Sequence, residues 1–334
     1  MSVEAAVQED GLVIPLVDFS MFLNGSPSER TETAKAILHA FRTAGFVYIK
    51  NHAVSRETVA RTFELSAEFF AQPIDAKTKL SVTSPEANRG YLRQGREKLV
   101  RPEDYDAAGS ERTPDGVKEL KESFEIGRDN HDTYDNHWPE DVAGFRAGML
   151  EFWEQCQSLH MNLMRAIAMG LGMEEKYFDE YLDVADNTLR LLHYPEVKAS
   201  VFKAKTGQVR AGEHADYGSI TLLFQDDRGG LQVKSPAGTF VDATPIPETI
   251  IVNAGDLLAR WSNDYIKSTI HRVVEPPSKE PDVYPARYSI AYFCNPNFDR
   301  MIEAMPGTYA SEAEKKYEGI TSGDYMVRRL AATY

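Results

Sequence analysis

The chain has 334 residues, 42% of them hydrophobic, enough to bury a large core as one big domain or two closely packed ones. Its 51 acidic and 37 basic residues give a formal net charge of −14, which argues against nucleic acid, because that binding relies on Lys and Arg neutralising phosphates. No apolar run approaches the ~18 residues of a membrane span, and the N-terminus MSVEAAVQEDGL lacks the basic-then-apolar order of a secretory signal, so the expected setting is the cytosol and the expected partner a small molecule.

Residues 12–19 (LVIPLVDF) read as a strand, 31–43 as a helix, 45–50 (GFVYIK) as a strand and 56–71 as a helix carrying Phe63, Phe69 and Phe70. That alternation resembles the opening of a nucleotide fold, but no Gly-x-Gly-x-x-Gly or phosphate loop stands at its turns, and the reading is rejected. Residues 84–136 are polar, charged and rich in Gly and Pro, which predicts long surface loops with short helices of the kind that cover an active site. From 142 to 170, Phe145, Met149, Phe152, Cys156, Leu159, Leu163 and Ile167 recur every three or four residues, as on one long amphipathic helix whose stripe is packing surface. Cys156 belongs to that stripe, and with Cys294 it makes neither a disulfide framework nor a metal pair. A shorter helix is expected near 174–181.

The character then switches to β. Short runs at 188–194, 208–214, 219–224, 231–234, 240–242, 249–253, 269–273 and 287–293 are separated by turn signals such as Asp-Arg-Gly-Gly and Pro-Ala-Gly. They predict a mixed α/β chain with a mainly β core: a double-stranded β-helix (jelly-roll, cupin-like) flanked by helices. Residues 310–333 look helical. The organisation expected is an N-terminal region packed on the core (1–110), loops and the long helix (111–186), the β-helix core (187–300) and a C-terminal helical segment (301–334).

Chemistry concentrates in that core. In AGEHADYGSITLL, His214 and Asp216 stand at i and i+2, where strand side chains share a face and can grip one ion together. A third candidate ligand, His271, follows in STIHRVV, and Arg287 and Ser289 follow it in PARYSIAYF. Taken alone, His-x-Asp occurs by chance and a His in an apolar strand is an ordinary core residue; the ordered succession is what points to a metal. Two imidazoles and one carboxylate on one face of an octahedron leave three cis positions open, which suits iron(II) and dioxygen. A chelating 2-oxo acid takes two of them, and Arg287 can meet its far carboxylate with a bidentate fork. Alternation places Arg287, Ser289, Ala291 and Phe293 on one face, with Tyr292 on the other, and groups Arg190, Leu192 and Tyr194. Phe293 on that face is equally compatible with core packing. For Arg190 the core reading is weaker, because an unpaired buried guanidinium is costly.

These motifs resemble those of the iron(II)/2-oxoglutarate dioxygenases related to isopenicillin N synthase, over nearly the whole chain. IPLVDFS and GFVYIKNH are similar to the family's N-terminal region. EANRGY, LRLLHYP, RAGEHADYGSITLLFQD, GGLQVKSP, NAGDLLARWSND, KSTIHRVVEPP, RYSIAYFCNPN and KYEGI are similar to its fungal branch that oxidises free thymine. The resemblance implies Fe(II) held by His214, Asp216 and His271, 2-oxoglutarate held by Arg287 and Ser289 with help from Tyr194, and O2 as oxidant. Where many plant relatives have Asn-x-Tyr-Pro, this chain has Leu192-His193-Tyr194-Pro195, so the Asn contact to the cosubstrate is missing. A thymine site needs stacking faces, for which Tyr217 and Phe293 are candidates, and edge partners, for which Arg190, Asn187 and Asn295 are candidates. Turn or cap chemistry is the competing role for the two asparagines. The reaction implied is hydroxylation of the C5 methyl to 5-hydroxymethyluracil, with onward oxidation to the aldehyde and acid. The alternative is a related dioxygenase acting on another small metabolite.

Overall fold

The computed structural model describes residues 4–84, 87–95, 119–204, 209–276 and 282–333. A nine-stranded sheet runs, from edge to edge, through Glu4–Glu9, Leu12–Asp18, Phe46–Lys50, Thr249–Ala254, Ile220–Gln225, Arg287–Cys294, Thr188–Tyr194, Glu122–Gly127 and Gly90–Leu92. Every pairing in it is antiparallel except that of Leu12–Asp18 with Phe46–Lys50. A four-stranded antiparallel sheet of Phe240–Asp242, Leu231–Lys234, His271–Val273 and Ala211–His214 faces it. The two sheets fit the expected jelly-roll, with helices on the outer face of the larger one.

Period-two alternation divides the large sheet between two cores. Leu189, Leu191, Ile220, Leu222, Ile250, Val252, Ile290 and Tyr292 face the helices. Their neighbours Leu192, Tyr194, Ile251 and Ala291 face the smaller sheet, where they meet Ala211, Leu231, Val233 and Val273. The helix Phe145–Gly170 lays the predicted stripe from Phe145 to Ile167 into the outer core, where Cys156 is fully buried. Helix Pro27–Thr43 begins at a capping box: Ser26 Oγ accepts from Glu29 N, and Glu29 Oε2 accepts from Ser26 N at 2.7 Å. The hairpin joining the first two strands turns at Asp10 and Gly11, both at positive φ, as a two-residue turn of the twist-matching kind requires.

Three expectations change. Within 84–136, read as surface loops, the described residues include two fully buried strands, Gly90–Leu92 and Glu122–Gly127, which extend the large sheet; residues 96–118 of that segment lie outside the described residues. The C-terminal segment is α-helical only over Ser322–Thr333, after a short 3-10 turn at Glu312–Glu314 and a strand pair at Met301–Ile302 and Ile320–Thr321. The helix expected near 174–181 is a single turn, Asp179–Leu182. Among the described residues no helix is long and apolar enough to cross a membrane.

Candidate active site and metal centre

His214 and His271 are direct cross-strand partners on the smaller sheet, their ring centroids 4.3 Å apart. Asp216 lies just past the end of strand Ala211–His214 rather than on it, so the strand-face argument covers His214 only. The loop itself carries Asp216 back: Asp256 N donates to its carbonyl at 2.8 Å and Leu257 N to the Tyr217 carbonyl at 3.1 Å. This close seating needs glycine. A Cβ at Gly255 would stand 2.4 Å from the Gly218 carbonyl oxygen, and one at Gly218 would stand 2.4 Å from that of Cys294.

Asp216 Oδ1 is 3.9 Å from His214 Nε2 and 3.7 Å from His271 Nε2, and one ligand atom from each of the three residues falls within 4.8 Å of the others. Hydrogen bonds to the ligand side chains sort their atoms. Thr221 Oγ1 at 2.5 Å and Asn253 Nδ2 at 2.7 Å both donate to Asp216 Oδ2, leaving Oδ1 turned to the imidazoles. His214 Nδ1 lies 2.7 Å from the Gly212 carbonyl and His271 Nδ1 3.2 Å from that of Thr269, so the proton of each ring sits there and each Nε2 lone pair faces inward. Packing around the ring and the neighbouring His271 push the His214 pKa down, favouring neutral imidazole. Burial alone would raise the Asp216 carboxyl, but His271, His214, Asn253 and Thr221 together hold it below its ordinary range. Two imidazole nitrogens and one carboxylate oxygen on one side of a common centre fit iron(II).

Two cavities meet at this set. One, of about 70 Å³, is lined by Arg287, Ser289, Tyr194, Leu192, Asn253 and His271. Arg287 is 1% exposed; its Nε donates to the Gly229 carbonyl at 2.8 Å, Nη1 to Ser289 Oγ at 3.1 Å and Nη2 to Gln225 Oε1 at 3.2 Å. Each Nη keeps one further N–H, a fork for a carboxylate. Tyr194 lies beneath, its ring 4.9 Å from the Arg287 guanidinium carbon, and Leu192 occupies the place of the missing Asn. The other cavity, of about 120 Å³, is lined by Tyr217, Phe293, Arg190, Asn295 and Asn88 and is walled by Met326 and Leu330 of the C-terminal helix. Arg329 of that helix sits 4.3 Å over the Tyr217 ring and bonds Asp256 Oδ2 at 2.5 Å, which fixes Tyr217 in place. His214, Asp216, Arg190, Phe293 and Lys121 line both cavities. A larger concavity, about 680 Å³ beside helix Arg56–Phe70, is lined by none of the candidate site residues.

The structure therefore brings together ten of the eleven residues singled out in the sequence, and the exception is Asn187. Its Nδ2 donates to Gln157 Oε1 at 2.6 Å and to Tyr292 Oη at 3.0 Å, and its Oδ1 accepts from Asn295 N at 2.8 Å. All of its amide is committed behind the sheet, so it is a bracing residue, not a cavity residue. Asn295 donates Nδ2 to the Asp186 carbonyl at 2.9 Å and reaches the cavity wall. Sequence reasoning missed Asn88, at the left-handed φ of 44° inside the EANRGY motif, and Thr221 and Asn253, which donate to Asp216. It also missed Arg210, fully buried in RAGEHAD, whose pKa burial and then Arg287 push down to about 10.

Comparison with known proteins fixes the family. Residues 185–296 match the 2OG-Fe(II) oxygenase superfamily, and 14–141 match the N-terminal region described as non-haem dioxygenase in morphine synthesis. A 2-oxoglutarate-Fe(II) type oxidoreductase of Metarhizium rileyi is 37% identical over 95% of this chain and 90% of its own. This chain belongs to the 2-oxoglutarate–iron(II) oxygenase superfamily. Its cofactor is iron(II), with 2-oxoglutarate and dioxygen as cosubstrates. A proline hydroxylase of Petromyces alliaceus is 36% identical over 95% of this chain and 98% of its own. Among solved structures, Neurospora crassa thymine 7-hydroxylase in complex with 2-oxoglutarate and thymine is 59% identical with a TM-score of 0.91, covering 99% of this chain and 100% of that one. The same enzyme has also been solved with 5-formyluracil, at 58% identity and a TM-score of 0.89, covering 99% of each chain.

Proposed function

We propose that this oxygenase hydroxylates the methyl group of free thymine to 5-hydroxymethyluracil, and onward to 5-formyluracil and 5-carboxyuracil, in cytosolic pyrimidine salvage. The observation that carries the reading is the 120 Å³ cavity beside the ligand set, lined by Tyr217, Phe293, Arg190 and Asn295, in a chain 59% identical to an enzyme solved with thymine. That volume is well below the ~300–1,000 Å³ of pockets for drug-sized ligands and suits a single flat ring. Tyr217 and Phe293 supply ring faces, Arg190 a donor for a ring carbonyl, and Asn295 an amide for the imide edge. On the other side of the ligand set, Arg287 and Ser289 hold the distal carboxylate of 2-oxoglutarate over Tyr194. Iron(II), held by His214, Asp216 and His271, supplies the oxidising chemistry; the chain's part is to aim the methyl and exclude water.

Succinate release and product analysis with a panel of bases, nucleosides and small acids tests this. Thymine is expected to turn over and thymidine to fail, because a cavity of about 120 Å³ walled by Met326 and Leu330 leaves no room for a sugar beside the ring. Equal oxidation of thymidine, or oxidation of neither, refutes the reading. A second reading, hydroxylation of another small metabolite, is favoured by the curated fungal relatives at 36–37% identity, one of which is a proline hydroxylase. The acids in the same panel discriminate it.

A further inference from the structure

The cations at the two ends of the site differ in how they are paired. At the cosubstrate end stand two buried guanidiniums, Arg287, whose partners are the Gly229 carbonyl, Ser289 and Gln225, and Arg210, whose partner is the Pro285 carbonyl. Neither makes an ion pair with a carboxylate among the described residues; Asp226 acts on both only at longer range, so their N–H donors are left for a dianionic acid. At the substrate end, two cations among the described residues each stand against a carboxylate. Arg190 Nε lies 2.7 Å from Oε1 of Glu125, which is fully buried, and Lys121 Nζ lies 2.8 Å from Oε2 of Glu119, their side chains 11% and 8% exposed.

Glu125 is placed for this by the sheet. It is the direct cross-strand partner of Arg190, and Arg190 in turn pairs Ala291 between Ser289 and Phe293. Ser123 Oγ donates to the same Glu125 oxygen at 2.9 Å, holding the carboxylate under the guanidinium. Glu119 is anchored to the metal-bearing strand, its Oε1 accepting from Gly212 N at 2.8 Å. A guanidinium with a carboxylate against its back draws an anion less strongly than an unpaired one.

We infer that Glu125, seconded by Glu119, is a specificity-determining residue that makes the substrate chamber select neutral imide-like molecules and reject carboxylates. The inference rests on the thymine reading and extends it. It gives the chamber a direction, since a methyl, alcohol or aldehyde on the ring is retained while the carboxylate formed by a third oxidation is expelled. Two-oxoglutarate is thereby also kept to its own end.

The test is calorimetric binding of thymine and of uracil-5-carboxylate to the iron-loaded protein with 2-oxoglutarate under nitrogen, for the wild type, Glu125→Gln and Glu125→Asp. Uracil-5-carboxylate is expected to bind Glu125→Gln at least about tenfold more tightly than it binds the wild type, because a like charge has been withdrawn from behind Arg190. Glu125→Asp, which keeps the charge, is expected to stay near the wild type. Unchanged carboxylate affinity in Glu125→Gln, or an equal gain in Glu125→Asp, overturns the inference. Should Glu125→Gln not fold, Glu119→Gln carries the same test, with a gain in the same direction expected and no gain overturning it. Thymine binding to the wild type is a separate arm: its absence defeats the substrate reading, while a carboxylate gain on removing the glutamate's charge still upholds the chamber's charge selection.

Discussion

Replacing Arg287 with Lys isolates what the guanidinium contributes at the cosubstrate end. Of its five N–H donors, three are committed to Gly229, Ser289 and Gln225, and the remaining two are the fork proposed to take the distal carboxylate. A lysine ammonium has three donors on one shorter-reaching atom and cannot hold the Gly229 carbonyl and both carboxylate oxygens at once. The loss is at least one charge-assisted hydrogen bond, about 1.5–3 kcal/mol, which is a rise of about ten- to 150-fold in the 2-oxoglutarate requirement. The position is 1% exposed, so the same substitution leaves a buried ammonium, and urea unfolding must accompany the kinetics to separate lost binding from lost fold. The assay is succinate release against 2-oxoglutarate concentration at fixed thymine. A folded Arg287→Lys protein with an unaltered 2-oxoglutarate requirement removes Arg287 from the cosubstrate site and with it the assignment of the 70 Å³ cavity.

Three further outcomes follow from the same geometry. His271→Ala is expected to abolish turnover and sharply lower retained iron, measured by metal analysis, with circular dichroism unchanged; normal activity would falsify the three-ligand assignment. Arg190→Ala is expected to uncouple the enzyme, losing about 1.5–3 kcal/mol of substrate anchoring, so that succinate accumulates well ahead of oxidised thymine; tightly matched yields of the two products count against Arg190 as an edge reader. His160 is fully buried with neither ring nitrogen hydrogen-bonded, and burial pushes its pKa from 6.5 down to about 3. The folded state thus holds it neutral while the unfolded chain takes up a proton below pH 6.5, so its contribution is intact above that pH and is lost as pH falls toward 3. Between pH 7.5 and 5.5 the wild type is expected to lose about 1.4 kcal/mol more unfolding free energy than His160→Leu, and parallel losses in the two proteins refute the buried neutral ring.

The parts of the site legible in the sequence were those governed by local period. Strand alternation alone put Arg287, Ser289 and Phe293 on one face and Tyr292 on the other, and the structure has the first three at the cavities and Tyr292 among the helices. The long helix was equally legible, because its stripe of large apolar residues repeats without interruption. Asp216 shows where the local argument stops. Its carboxylate converges on the histidines through Asn253, Thr221 and the backbone of Asp256, contacts that cross from one strand to another and leave no trace in the spacing of His-x-Asp.

The strand Glu122–Gly127 was missed for a related reason, and it carries the Glu125 that stands against Arg190. KESFEIG reads as solvated chain because two glutamates in six residues are costly to bury alone. Both are buried in the fold, each against cations far away in the sequence. Glu122 takes Lys77 Nζ at 2.9 Å and His193 Nδ1 at 2.7 Å, with the Tyr91 hydroxyl also donating, and although burial alone would raise its carboxyl these donors hold it below the ordinary range. Glu125 takes Arg190 on the opposite face. Composition counts charges one at a time, whereas burial is decided by pairs, and a pair separated by 65 residues, as Glu125 and Arg190 are, is invisible until the strands are laid side by side. The pairing that hid the strand from the sequence is the same one that sets a carboxylate behind Arg190, so the residue hardest to read is the one to which we assign the chamber's charge selection.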